Sequence, residues 1–240
     1  LFSKMEEDFN IKRNVVHYNI ILSTLADARR ADIVLPMLKQ MHQEKIEFDA
    51  VTYSAAITAC SRCQLWKEAL KLWNVANTAA KKKKKNNHSY HYNKGNFLNT
   101  ITFNSVLSAC ISGRQFGIVI EIFEEVRTNG MIPLDVISFS LVISACGELD
   151  EMDKASDYFK LMKEQGIERD RGVYHAYMTA CERCGEWDVA IKMLSSMRED
   201  GILPDAQSFC TAISSCGNSG QWRDSLSLFH RMDREGVTKD

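Results

Sequence analysis

The sequence predicts an all-α protein, a superhelical α-solenoid of stacked helix-turn-helix units, from its composition, an internal repeat and the spacing of apolar residues within that repeat. The 240 residues are 45% hydrophobic and 25% charged, enough to bury a sizeable core. Only three prolines and twelve glycines occur, too little turn punctuation for an all-β chain. The segments VVHYN, AVTYS, TITFN, VISFS, RGVYH and AQSFC open six blocks at residues 15, 50, 100, 136, 171 and 206. The steps are 35, 50, 36, 35 and 35, and the long step reads as one 35-residue unit carrying a 15-residue insertion.

Each block reads as two helices. Position 4 is Tyr18, Tyr53, Phe103, Phe139, Tyr174 and Phe209, and position 8 is Leu22, Ile57, Leu107, Ile143, Met178 and Ile213. With Leu25 or a cysteine at position 11, these lie at i, i+4 and i+7 on one face of a first helix. A second apolar stripe follows, as in WKEALKLW, FGIVIEIF and WRDSLSLF. Gly130, Gly166, Gly201 and Gly236 near position 31 mark the stop of the second helix. The predicted units are 15–49, 50–99 with a Lys-rich insertion at about 81–97, 100–135, 136–170, 171–205 and 206–240. One helix pair cannot bury both of its stripes, whereas stacked pairs can.

Two near-identical segments, ACSRC at 59–63 and ACERC at 180–184, raise the question of a metal or redox site. Cys60, Cys110, Cys146, Cys181 and Cys216 all take position 11, where the first unit has Leu25. A residue that alternates with leucine on a buried stripe reads as packing. The two pairs lie three units apart, roughly 30 Å in a stack of helix layers, too far to share one zinc. No βαβ pattern accompanies either pair, and eight thiols without a disulfide framework fit a reducing compartment.

Charge excludes a binder that relies on bulk basicity. The net charge is -1, but residues 81–99 hold six of the thirty Lys and Arg and no acidic residue; the remainder carries 24 basic against 31 acidic residues. Phosphate affinity comes from Lys and Arg, so any contact with nucleic acid has to be local. No apolar run is long enough to cross a bilayer, so membrane insertion is not expected. The chain opens on Leu1, which reads as a fragment or a processed form. The histidines His17, His42, His175 and His230 are scattered over different units, with no nucleophile, paired carboxylates or Gly-rich phosphate loop. No enzyme and no cofactor or metal site is read.

The unit VISFSLVISACGELDEMDKASDYFKLMKEQGIERD, residues 136–170, resembles a pentatricopeptide repeat, as does VYHAYMTACERCGEWDVAIKMLSSMREDGILPD. All six units share the resemblance, and LFSKMEEDFNIKRN, residues 1–14, resembles the second helix of a truncated preceding repeat. The resemblance implies a right-handed α-solenoid superhelix that binds single-stranded RNA at one base per repeat. It further implies a mitochondrial or chloroplast location and a role in RNA processing, stability or translation.

Residue by residue, the resemblance gives the base-reading role to position 5 and the last position of each repeat, with position 2 packing against the base. Those pairs are Asn19 with Asp49, Ser54 with Asn99, Asn104 with Asp135 and Ser140 with Asp170, associated with U, A, U and G. Val16, Val51, Ile101 and Ile137 supply the base-packing contact, and the implied target is 5'-UAUG-3'. On a helical wheel, positions 2, 5, 9 and 12 fall opposite the buried stripe, and position 9 carries a hydroxyl in all six repeats. His175 with Asp205 and Cys210 with Asp240 depart from the family's pairings, and Gly172 and Gln207 remove the branched residue at position 2.

Arg62 and Arg183 are candidate phosphate contacts, matched by Asp27 and Glu148, as are Lys81, Lys82, Lys83, Lys84 and Lys85 of the insertion. Tyr90, Tyr92 and Phe97 beside those lysines have the makings of a single-strand stacking platform, although lysine runs are usually solvated. A second reading makes the solenoid a structural or adaptor subunit of an organellar ribonucleoprotein assembly, such as a ribosome, with proteins as its partners.

Overall fold

The computed structural model describes residues 12–86, 98–130 and 132–237, with side chains described throughout except at 80–86. The described residues form α-helices and no strand, and the chain divides into two compact units, 1–115 and 116–240. The first unit holds α1 (Val15–Asp27), α2 (Ala31–Gln43), α3 (Ala50–Arg62), α4 (Trp66–Asn86) and α5 (Thr100–Ser112). The second holds α6 (Phe116–Asn129), α7 (Val136–Glu148), α8 (Met152–Glu164), α9 (Arg171–Arg183), α10 (Trp187–Glu199), α11 (Ala206–Asn218) and α12 (Trp222–Arg234). The odd-numbered helices begin on the six residues that open the sequence blocks.

Each unit is a stack of helix pairs. In the first, α1, α3 and α5 lie in a row, and α2 and α4 each pack against the first helix of their own pair and of the next. The second unit repeats this with α7, α9 and α11 in a row. The position-4 aromatics are the anchors: Tyr18, Phe103, Phe139, Tyr174 and Phe209 have no exposed surface and Tyr53 is buried. Three of these pairings are sealed by an aromatic from the preceding second helix, Trp73 on Phe103 (5.6 Å between centroids), Phe123 on Phe139 (5.2 Å) and Phe159 on Tyr174 (5.2 Å). Stability in such a stack is a sum of nearest-neighbour interfaces.

The position-11 cysteines Cys60, Cys110, Cys146, Cys181 and Cys216 are fully buried. Burial, aided by nearby acidic groups, pushes the thiols of Cys60, Cys146 and Cys181 up to about 12, and burial pushes that of Cys110 up to about 11. They remain protonated and unreactive at neutral pH, as packing residues should. Cys63 serves the backbone instead: its thiol donates to the Arg29 carbonyl of the preceding repeat at 2.9 Å. Among the described residues no group of three or more His, Cys, Asp or Glu converges as a metal site.

Position 31 is left-handed, as its glycines suggested, with φ of 57° at Gly130 and 68° at Gly166. The turn between the helices, position 15, is also left-handed in all six repeats, although only Gly185 and Gly220 are glycines there. The N–H one residue further on reaches back to the position-11 carbonyl, as from Leu65 to Cys60 at 2.9 Å and from Gln115 to Cys110 at 2.8 Å. Gln64 (φ 59°) and Arg114 (φ 56°) therefore carry left-handed strain on exposed side chains. Gln64→Gly and Arg114→Gly are each expected to raise stability by about 0.5–1 kcal/mol in urea unfolding, the relieved strain exceeding the added freedom of the unfolded chain.

One element is longer than its spacing suggested. The insertion was expected to leave the helix near residue 81, yet α4 runs 21 residues against 13 for α2 and 14 for α6. Lysine is a good helix former, so the lysine run continues the helix to Asn86. The side chains of Lys81, Lys82, Lys83, Lys84 and Lys85 lie outside the described residues, as do Tyr90, Tyr92, Phe97, Asp240 and residues 1–11.

Candidate nucleic-acid interface

The last residue of each repeat is the N-cap of the next first helix. Asn14, Asp49, Asn99, Asp135, Asp170 and Asp205 sit in extended backbone, and each side chain accepts from the backbone N–H three residues on. Asp49 Oδ1 receives Thr52 N at 2.8 Å, Asn99 receives Thr102 N at 2.8 Å, Asp135 receives Ser138 N at 2.8 Å and Asp170 receives Val173 N at 2.9 Å. Capping by Asp or Asn supplies about 1 kcal/mol per helix, so these residue types are demanded by the fold before any ligand is considered.

The position-3 hydroxyls complete this network, and the sequence reading missed them. Thr52, Thr102, Ser138 and Ser208 are fully buried. Their oxygens donate back to the capping group, at 2.9 Å to Asp49, 2.8 Å to Asn99, 2.9 Å to Asp135 and 2.7 Å to Asp205. The signal was present: an acidic or amide residue followed three places later by a hydroxyl is a helix-start signature.

Position 5 meets the cap across the repeat boundary. Asn19 Nδ2 donates to Asp49 Oδ1 at 2.9 Å and Oδ2 at 3.0 Å, and the Thr52 hydroxyl lies 2.6 Å from Asn19 Oδ1. The two residues that the sequence paired across 30 positions are therefore in contact. Asn19 is only 8% exposed, more deeply set than a groove-facing residue was expected to be. The amide is held in one orientation, and Asp49 Oδ2, which takes no bond from the cap, keeps acceptor capacity beyond the Asn19 amide. Ser54, Asn104 and Ser140 are half-buried, Asp135 is half-buried, and Asn99 and Asp170 are exposed. Asn104 and Asp135 belong one to each compact unit.

Among the described residues, position 2 is the one place where large apolar side chains recur in the open. Val16, Val51, Ile101 and Ile137 are 57%, 52%, 69% and 55% exposed. Val51, Ser54 and Asn99 line one cleft of about 260 Å³ together with Ser23 and Thr58, the position-9 hydroxyls of α1 and α3. Val51, Ser54 and Asn99 thus surround a single open space with a small, polar wall.

The arginines pair with the acidic residues that the sequence set against them. Arg62 donates to Asp27 Oδ1 at 2.6 Å and to the Ala26 carbonyl at 3.0 Å, and Arg183 bonds Glu148 at 2.9 and 3.0 Å. Each guanidinium is partly neutralised by the preceding repeat, with its remaining donors facing solvent.

The caps also set the acid sensitivity of the stack. Burial pushes the Asp49 carboxyl up, but bonds from the Thr52 backbone, the Asn19 amide and the Thr52 hydroxyl together hold it below the usual carboxylate range. Asp205 behaves alike, with the Ser208 backbone and hydroxyl and His175 outweighing burial. A depressed folded-state pKa stabilises the fold above the unfolded value of about 3.9 and is lost as pH falls through the folded value. Urea midpoints measured from pH 6 to pH 2 should therefore fall for the wild type, and less steeply for Asp49→Asn, which keeps the cap without the charge.

Residues 92–149 and 158–219 match the pentatricopeptide repeat domain, residues 13–62 the PPR repeat family, and residues 51–75, 137–167 and 207–237 the PPR repeat. The chain belongs to the pentatricopeptide repeat family. A pentatricopeptide repeat-containing protein of Arabidopsis thaliana is 24% identical over 184 residues, 68% of this chain and 30% of the relative. A mitochondrial Arabidopsis thaliana member is 26% identical over 172 residues, 65% of this chain and 22% of the relative. This pentatricopeptide repeat chain thus spans less than a third of those relatives. Among solved structures, the maize pentatricopeptide repeat protein PPR10 in complex with an 18-nt psaJ RNA element aligns at 20% identity with a TM-score of 0.64. That alignment covers 95% of this chain and 34% of PPR10. The PPR domain of Arabidopsis thaliana PRORP1, in complex with tRNA, aligns at 11% identity and TM-score 0.62 over 88% of this chain and 98% of that domain. The all-α stack of helix pairs expected from the sequence is thus the fold of this family. No helix among the described residues is long and apolar enough to cross a membrane.

Proposed function

We propose that the first helices of each unit bind single-stranded RNA, with one base seated per repeat against its position-2 side chain. The observation that carries this reading is the exposure of Val16, Val51, Ile101 and Ile137. Capping explains Asp and Asn at the repeat ends, but it gives no reason to leave a branched apolar residue half in water at the same helix turn of four repeats. A flat base supplies the missing partner, since every base has an apolar face.

The polar pair beside each such contact supplies the selectivity. Asp49, its inner oxygen committed to the cap, presents an outer acceptor that suits the imino N–H of uracil. Asn99 in the 260 Å³ cleft has its oxygen committed to Thr102 and keeps its amide N–H groups as donors, which suits the bare ring nitrogen of adenine beside the small Ser54. Applied to repeats one to four, the pairs give 5'-UAUG-3' as the preferred tetranucleotide. An organellar site of action and a role in transcript processing, stability or translation are proposed with it, supported by chloroplastic and mitochondrial relatives. A structural role in an organellar ribonucleoprotein is the competing outcome, favoured if the chain associates with proteins after nuclease treatment.

The experiment is a titration of fluorescent oligonucleotides carrying UAUG or its scrambles across a salt series. Expected is a preference of roughly five-fold or more for UAUG at every salt concentration, about 1 kcal/mol of hydrogen-bond discrimination. The absolute affinity should drop as salt rises, because the phosphate contacts are ionic. Equal affinity for all sequences overturns the proposal.

A further inference from the structure

We propose that the fifth repeat, which lacks a recognised pairing, selects a uracil through His175, so that the preferred sequence extends to 5'-UAUGU-3'. The proposal rests on the RNA-binding reading above and deepens it. His175 occupies position 5 of α9 and touches the cap of α11 much as Asn19 touches the cap of α3. His175 Nε2 lies 3.1 Å from Asp205 Oδ1 and 3.1 Å from Ser208 Oγ. The Ser208 hydroxyl donates its own proton to Asp205 Oδ1 at 2.7 Å, so its oxygen faces Nε2 as an acceptor. Two acceptors therefore face Nε2, which must carry the ring proton in the neutral imidazole.

The consequence falls on the other nitrogen. With Nε2 protonated, Nδ1 is an acceptor, and no hydrogen bond engages it among the described residues. The ring is held almost as deeply as Asn19, with 15% of its side chain exposed. Arg171, at the start of the same helix, lies 3.4 Å from Asp205 Oδ2 and keeps half of its side chain in solvent. A fixed acceptor, with a guanidinium donor held on the other oxygen of the Asp205 carboxylate, complements an imino N–H beside a carbonyl, the edge that uracil and guanine share. Of these two, uracil fits, because the imidazole fills space that the small Ser140 leaves open one repeat earlier. Cytosine and adenine present a bare ring nitrogen at the same place and would face the Nδ1 lone pair.

Gly172 at position 2 removes the apolar wall that the earlier repeats have, so this base is held by its edge more than by its faces. Its contribution is therefore to selectivity at one position.

The test compares the full chain with His175→Ala and His175→Asn on four oligonucleotides, 5'-UAUGN-3' in a common flank, where N is U, C, A or G. Expected is a preference for U at N of roughly three- to five-fold. It should vanish in His175→Ala and persist in His175→Asn, which recreates the Asn19–Asp49 arrangement. A purely structural role of His175 would lower affinity for all four oligonucleotides alike, and that result overturns the proposal. No preference at N in the wild type, with the first four bases still discriminated, also overturns it and leaves the RNA-binding reading standing. Loss of discrimination at every base overturns both.

Discussion

Trp73→Ala should cost about 3–5 kcal/mol in urea unfolding and loosen the first compact unit. Trp73 is fully buried and its ring lies 5.6 Å from that of Phe103. It is the side chain through which α4 holds α5. In a stack held by neighbour interfaces, losing one interface uncouples everything that depends on it. Hydrogen exchange should therefore report lost protection in α5 as well as α4. Trp73→Phe sharpens the test. The indole Nε1 is buried with no partner among the described residues, an unmet donor that costs about 1–3 kcal/mol. Phenylalanine removes that donor while keeping a ring against Phe103, so its net effect should be within about 1.5 kcal/mol of wild type. Equal losses for the two variants would contradict the assignment of Trp73 as an interface anchor.

Gly147→Val should destabilise the second unit by about 3 kcal/mol, the upper end for overpacking. A Cβ at Gly147 would sit 2.7 Å from both the Cα and the Cβ of Ala180, so α7 and α9 touch nearly backbone to backbone. Backbone cannot swing aside as a side chain can. Gly217 makes the comparison, since it holds the same repeat position in α11 and a Cβ there meets nothing within 4 Å. Gly217→Ala should gain up to about 1 kcal/mol from helix propensity alone. Paired thermal or urea unfolding of the two variants checks the opposite signs. A neutral Gly147→Val would show that the first helices are not packed as tightly as the structure has them.

The architecture was legible because period and stripe repeat six times. A single helix pair such as WKEALKLW with its partner is ambiguous, but 35-residue spacing of Tyr18, Tyr53, Phe103 and the rest leaves one way to bury them all. The cysteines were legible for the same reason, since Leu25 in the place of Cys60 identified a packing position. Turn geometry was half legible. Glycines mark position 31, whereas at position 15 Arg29, Gln64, Arg114 and Asp150 adopt the left-handed conformation without glycine, held there by the bond back to position 11.

At the candidate site the sequence paired residues across repeat boundaries but did not show what holds them. The pairing of Asn19 with Asp49 was visible in the family pattern, and the structure adds that the carboxylate is first a helix cap. The buried hydroxyl of Thr52, which bridges Asp49 and Asn19, was not singled out. A polar residue on an apolar stripe looks like noise until its partner is seen. The sequence set His175 with Asp205 by position, but no family pairing gave the two a role, and their contact was seen only in the structure.

The most direct measurement is the double variant Ser54→Asn, Asn99→Asp, which gives the second repeat the pair found at Asn19 and Asp49. Aspartate caps α5 as well as asparagine does, so the stack should be preserved and circular dichroism and urea unfolding should match wild type closely. The readout is affinity for 5'-UAUG-3' against 5'-UUUG-3'. Expected is an exchange of preference, with wild type favouring A at the second base by roughly five-fold and the double variant favouring U by a similar factor. Unchanged preference in a correctly folded double variant would contradict base reading by these residues.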